Sequence, residues 1–248
     1  MLNRYLLLLF GLLPFGVLAQ SPRNVTHQNL QWVRYNNQLT INEKWAVHSE
    51  VDNRMFLSPF KEHHLVTRSN VRYSLSKGVE IGAGITYALQ HPQDPNSASD
   101  LVVPELRPQQ DLTLKQDLGK LKLNHRYQLE ERFIRKSTGD ELEPGYRFNF
   151  RARYRLQLEV SLWKGGEKEL KAIAFDEVML NFGKQVQQNV FDQNRIYGGL
   201  RWSTSPRLAM ELGYMKWYQQ RPNGTDFYNR NIYRLSIFHK LKLSKHDL

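Results

Sequence analysis

Four arginines at odd-numbered positions between residues 147 and 155 share a spacing suited to binding carboxylates or other anions. If this segment is a β-strand, Arg147, Arg151, Arg153 and Arg155 lie on one face, because alternate residues of a strand point to opposite sides. A guanidinium group binds oxyanions through paired N–H donors. Four such charges cannot lie in the dry core of a small soluble domain without partners. We therefore expect either a solvated face or a wet, ion-paired interior.

The same alternation assigns charged residues of other segments to this face. The predicted interior charges are Arg54, Arg68, Arg72, Arg126, Arg132, Arg147, Arg151, Arg153, Arg155, Arg195 and Arg201, with Glu50, Asp52, Glu80, Glu130, Glu159, Glu177 and Glu211. Two interpretations remain open. Ion-pair ladders could fill the interior in place of an apolar core, or a basic constriction could pass or bind a small anionic solute.

Histidines offer the other candidate chemistry. His63 and His64 are adjacent, but neighbouring residues of an extended chain diverge and no carboxylate cluster accompanies them, so an exposed polar loop is expected. His125 and His239 fall on the apolar face, where membrane-embedded lipases and lipid A deacylases place a catalytic histidine paired with a serine. No serine is suitably spaced, and Ser236 faces the other way. The sequence therefore predicts no catalytic, metal or cofactor site.

The elements that position these residues are strands, because the chain alternates apolar and polar residues with a period of two. We count eleven segments of about ten residues, the length that a tilted strand needs to cross a bilayer. Short turns near 42–44, 76–78, 117–120 and 203–206 alternate with longer loops near 56–63, 91–104, 136–145, 183–192 and 220–229. The prediction is an all-β, closed antiparallel transmembrane barrel of ten to twelve strands. Bacterial single-chain barrels usually have an even number, so residues 22–28 are expected to add a short strand or to thread the interior.

A soluble periplasmic barrel that binds a ligand would show the same period, with its apolar face inward. Three features favour lipid: the strands are long, the apolar face carries few charges, and aromatic residues recur toward strand ends as in interface girdles. The residues assigned to these girdles are Trp32, Trp45, Tyr73, Tyr87, Tyr127, Trp202, Tyr214 and Trp217.

The first nineteen residues predict export. Arg4 precedes an apolar run that ends at Val17-Leu18-Ala19, a pattern typical of a cleaved signal peptide. The expected organisation is a signal peptide, residues 1–19, and one barrel domain, residues 20–248. The formal net charge is +11 and the chain has no cysteine. Because an exported chain does not meet nucleic acid, we assign this charge to the interior or to attraction toward anionic lipopolysaccharide.

The segment from Phe191 to Leu200, FDQNRIYGGL, resembles a known family, and so do the segment from Leu212 to Met215, LGYM, and the early Trp32 strand with Trp45 and Arg54 after it. The family is the outer-membrane β-barrel family catalogued as domain of unknown function 2490. The resemblance extends over nearly the whole chain after residue 19. It implies a fold and a location, and it brings no activity.

The expected function is that of a non-enzymatic barrel in the Gram-negative outer membrane, either structural or a narrow pore with an arginine-rich interior. Its expected partners are outer-membrane lipid, lipopolysaccharide and, during insertion, the barrel-assembly machinery. An outer-membrane lipid hydrolase and a soluble ligand-binding barrel remain as alternatives.

Overall fold

The alternating segments form eleven strands. The computed structural model describes residues 23–243, so the predicted signal peptide lies outside the described residues. The strands are β1 (Val25–Thr40), β2 (Trp45–Phe56), β3 (Glu62–Ser76), β4 (Val79–Gln90), β5 (Val103–Leu118), β6 (Leu121–Thr138), β7 (Glu141–Gly165), β8 (Lys168–Phe182), β9 (Phe191–Ser203), β10 (Leu208–Gln220) and β11 (Phe227–Lys242). Within residues 23–243 no helix is long and apolar enough to cross a membrane.

The strands close into one barrel, in which each strand pairs with its sequence neighbours and β1 pairs with β11. This last pair is parallel, with Val25 opposite Phe227. The predicted closed barrel of ten to twelve strands is confirmed, with eleven strands, but the prediction that all pairs are antiparallel is wrong. An odd number of alternating strands brings two strands of the same direction together at closure. Residues 25–28 belong to β1, so they form no separate strand.

The strands are strongly staggered around the barrel. If cross-strand partners are followed from Arg34 on β1 through β2, β3, β4, β5 and β6, the residue reached on β7 is Arg147. The same walk in the other direction, through β11 to β8, reaches Ser161 on the same strand. This offset of fourteen residues is the shear that closes a tilted sheet.

The two ends of the barrel differ. The short-turn end carries the connections after β1, β3, β5, β7 and β9, and the long-loop end carries the others. The loop predicted near 136–145 is a short turn instead, because β6 and β7 meet at Gly139-Asp140; β7 and β8 likewise meet at a two-residue turn, Gly166-Glu167. Both glycines have positive φ, 58° and 60°, as two-residue hairpin turns with glycine first require.

Large apolar side chains are exposed on the outward face of every strand, whereas the interior is largely polar. Every strand carries at least one large apolar side chain that is more than a third exposed, such as Val33 on β1, Leu200 on β9 and Leu212 on β10, the last 64% exposed. Charged side chains such as Asp52 and Glu130 are instead buried inside. This polarity is inverted relative to that of a soluble globular domain.

Candidate functional site

A layer of buried side chains crosses the interior toward the long-loop end. Each of the eleven strands contributes a residue that is at most 5% exposed. We call these residues the buried layer: Leu30, Phe56, His63, Ala88, Glu105, Glu130, Arg151, Met179, Gln193, Trp217 and Arg230. A cavity of about 500 Å³ lies on the long-loop side and another of about 240 Å³ on the opposite side, and the two share no lining residue.

At Trp217 of the layer and at the neighbouring Trp32, guanidinium groups stack on aromatic rings. Trp32 and Trp217 pack edge to face with centroids 5.6 Å apart. The guanidinium of Arg54 lies 3.9 Å from the Trp32 ring, and those of Arg195 and Arg230 lie 4.9 Å and 4.5 Å from the Trp217 ring. The prediction that Trp32 and Trp217 belong to an outward girdle is therefore wrong, because both rings fill the interior.

The two carboxylates of the layer are each shared by two arginines. Glu130 accepts hydrogen bonds from Arg151, with Nε at 2.7 Å, and from Arg153 at 2.5 Å. Glu105 accepts from Arg107 and Arg132, both at 2.5 Å. Such pairs tolerate burial only because hydrogen bonds satisfy both charges. An ion-pair network thus fills this part of the interior.

His63 and His64 lie at the start of β3, at the level of the buried layer. The prediction that they lie in an exposed loop is therefore wrong. A register irregularity between Arg54 and Met55 shifts the start of β3, and His63 is fully buried in the interior. The ring nitrogen Nε2 of His63 lies 3.1 Å from Oε1 of Gln93, which also accepts a hydrogen bond from Arg230 at 2.9 Å. The loop after β4 therefore reaches into the barrel. Within residues 23–243 no three His, Cys, Asp or Glu side chains cluster to hold a metal ion.

We call the cavity of about 240 Å³ on the short-turn side the chamber. Ten arginines and five carboxylates line it. Glu177 accepts hydrogen bonds from Arg126 at 2.6 Å and from Arg153 at 2.9 Å. His48 and Arg72 line both the chamber and a further cavity of about 160 Å³ at the short-turn end. The chamber is therefore adjacent to the short-turn end, while the buried layer separates it from the long loops.

The eighteen charged residues that the sequence predicts to face the interior lie in four places in the structure. The chamber is lined by Arg54, Arg68, Arg72, Arg126, Arg153, Arg155, Arg195, Arg201, Glu50, Glu159, Glu177 and Glu211. Asp52, Glu130 and Arg151 are buried within or beside the layer. Arg132 and Arg147 line the long-loop cavity, where Arg147 is exposed, and Glu80 lines the short-turn cavity.

Several interior residues were missed by the sequence reasoning. Those with charged side chains are Arg34, Arg107, Arg230, Arg234, Glu105, Asp111 and Asp192. Arg34 shares the parity of Trp32 on β1, and Arg230 and Arg234 share one face of β11, so a stricter use of period two would have found them. The period of two could not have predicted the inward position of Gln93, because this residue lies in a loop.

The two histidines weighed for hydrolysis face outward and contact tyrosines. His125 Nδ1 lies 2.9 Å from the Tyr154 hydroxyl, and His239 Nδ1 lies 3.0 Å from the Tyr35 hydroxyl. Ser236, the serine nearest to His239 in sequence, is fully buried in the interior. Each histidine thus contacts a tyrosine hydroxyl and not the serine hydroxyl that a hydrolase would need.

The comparison with protein families gives one match. A family model described as a protein of unknown function (DUF2490) matches residues 29–229. The chain belongs to this family. The match extends from β1 to the start of β11, so it covers ten strands almost completely and most residues of the buried layer and the chamber, but not Arg230, Arg234 and Phe238. Comparisons with curated proteins and with solved structures gave no match.

Proposed function

We propose that the protein is an integral β-barrel of the Gram-negative outer membrane whose interior is closed by the buried layer, and that it has no catalytic role. The observation that carries this proposal is that all eleven strands expose large apolar side chains on their outward face. Monomeric soluble proteins rarely expose contiguous apolar patches larger than a few hundred Å². Lipid is the solvent that makes such a face favourable.

The soluble alternative requires the opposite polarity. A lipocalin-like barrel turns its apolar residues inward around a ligand and its charged residues into water. Here Glu130 and Arg151 are at most 5% exposed inside, whereas Leu212 and Tyr233 are 64% and 55% exposed outside. The inward and outward faces therefore suit a bilayer better than the periplasm.

The outward aromatic residues support the same proposal. Trp45 packs on Tyr73, with centroids 4.6 Å apart, and Trp163 stacks on Trp202, with centroids 5.6 Å apart, both toward the short-turn end. Indole and phenol rings favour the membrane–water interface. We propose that the short turns face the periplasm and the long loops the exterior, with lipid and lipopolysaccharide around the barrel. Insertion would then require the barrel-assembly machinery.

The buried layer argues for a structural barrel or a very narrow pore. All eleven strands contribute side chains to it, so no wide aqueous path connects the two cavities. Interiors of small barrels are commonly filled by side chains in this way. Any conductance is expected to be small and to favour anions, because arginines outnumber carboxylates around the chamber.

Fractionation tests the membrane assignment. We expect the wild-type protein in the outer-membrane fraction, with a gel mobility that shifts on boiling. Leu212→Arg places a charge on the outward face and should reduce the recovery of heat-modifiable protein, since an outward arginine costs up to about 2–4 kcal/mol, the value at the bilayer midplane. Thr225→Arg, in the exposed loop after β10, is the matched control and should behave as wild type. Recovery of wild-type protein in the soluble periplasm would contradict the proposal.

A further inference from the structure

Arg155 is the chamber arginine with the fewest partners. Within residues 23–243 every other arginine lining the chamber bonds a carboxylate, except Arg195, which bonds Gln193 and stacks on the Trp217 ring. Arg155 makes neither an ion pair nor a side-chain hydrogen bond there. Its guanidinium carbon lies over the Phe175 ring, 5.5 Å from the ring centroid.

The register explains why Arg155 has no carboxylate partner. Its cross-strand partner on β8 is Glu177 and its partner on β6 is Arg126. Oε1 of Glu177 already accepts hydrogen bonds from Arg126, at 2.6 Å, and from Arg153, at 2.9 Å. The guanidinium of Arg155 therefore lies beside other arginines, while Oε1 of its cross-strand carboxylate is already bonded to two of them.

The side chains that line the whole chamber carry a net positive charge. Ten arginines face five carboxylates. Asp52 and Glu130 do not line the chamber but bond its arginines Arg54 and Arg153, and arginines remain in excess when these two are counted. A desolvated guanidinium requires hydrogen-bond acceptors, and an excess of buried positive charge is most strongly relieved by an anion.

We infer that the chamber binds a small, free, phosphate-type oxyanion on Arg155, with Arg126 beside it. The volume of about 240 Å³ accommodates such an ion with water and is too small for an oligosaccharide. A phosphate carried by a lipid headgroup is excluded, because the chamber lies inside the closed sheet. The ion enters past His48 and Arg72, the residues shared with the short-turn cavity. The inference deepens the proposed function, and it rests on that proposal only for the periplasmic origin of the ion.

Titration with inorganic phosphate tests the inference. The thermal midpoint of the purified full chain in detergent is measured at constant ionic strength, with phosphate replacing chloride, and calorimetry gives the stoichiometry. We expect a saturable rise and about one ion per chain. Arg155→Gln should weaken binding by at least about tenfold, as loss of a charged hydrogen bond implies. Arg207→Gln, in the exposed turn after β9, should bind as wild type does.

The variant should fold, because Arg155 makes no ion pair that its removal would break. If it does not, Arg155→Met, of similar length and without a charge, takes its place with the same expected loss. The inference is overturned if wild-type protein shows no saturable phosphate effect, or if the Arg155 variant keeps it. Fractionation reads membrane insertion independently of this titration, so either proposal can fail without the other.

Discussion

The hydroxyl of Tyr197 donates a hydrogen bond to Glu211 at 2.7 Å across two facing glycines. Gly199 and Gly213 are direct partners on β9 and β10, and a Cβ on either would overlap the Tyr197 ring or hydroxyl. Glu211 also accepts a hydrogen bond from Arg234 at 2.6 Å. The absence of side chains at these glycines is therefore what lets the phenol reach a buried carboxylate.

Gly213→Ala is expected to displace the Tyr197 ring. Overpacking of this kind costs about 1–3 kcal/mol, which should lower the temperature at which the folded gel mobility is lost. Gly198→Ala is the matched control, because an added Cβ there meets no atom within 4 Å. Equal midpoints for the two variants would show that the close contact does not contribute to stability.

The ion-pair network predicts a strong effect of neutralising one buried carboxylate. Glu130→Gln removes the charge that Arg151 and Arg153 share. Breaking a buried pair costs about 3–5 kcal/mol, so unfolding in denaturant should begin at a clearly lower concentration. Glu131→Gln changes the next residue, which pairs with Gln110 outside the interior, and should shift the curve little. A similar shift for both variants would contradict the network.

The buried layer predicts that Trp217 blocks conduction. In planar bilayers the wild-type protein should show little steady current, whereas Trp217→Ala should show a larger current that favours anions, because Arg195 and Arg230 then border the gap. The outward Trp202→Ala should stay closed. Silence of a folded Trp217→Ala variant would mean that the rest of the layer suffices to close the barrel.

Asp176 is an outward carboxylate midway along β8, and its hydrogen-bond partner is Asn194 at 2.5 Å. A lipid-facing acid is unfavourable, so Asp176→Leu should raise the thermal midpoint by an amount equivalent to about 1 kcal/mol. Asp140→Leu, in the exposed turn after β6, is the control and should not. A lower midpoint for Asp176→Leu would argue that this position faces water or a polar partner.

The period of two predicted the strands, a count of ten to twelve and most of the two faces, because these follow from local side-chain alternation; it assigned Trp32 and Trp217 to the wrong face. The parallel β1–β11 pair follows only from closure of the whole sheet. The inward position of His63 depends on a register shift opposite Arg54, and that of Gln93 on how a loop folds back. Arg155 was predicted to face the interior, but its lack of a partner depends on which arginines Glu177 binds. Such competition between neighbours requires the three-dimensional register.

The chain has no cysteine, so single-cysteine variants can report which face meets lipid. The most direct measurement places a fluorophore at Leu212→Cys, on the outward face, and at Thr225→Cys, in a loop, and adds nitroxide-bearing lipids to the reconstituted protein. We predict strong quenching and poor reaction with a water-soluble maleimide at position 212, and the reverse at position 225. Equal maleimide reactivity at the two positions, without quenching at 212, would contradict a barrel that spans the membrane.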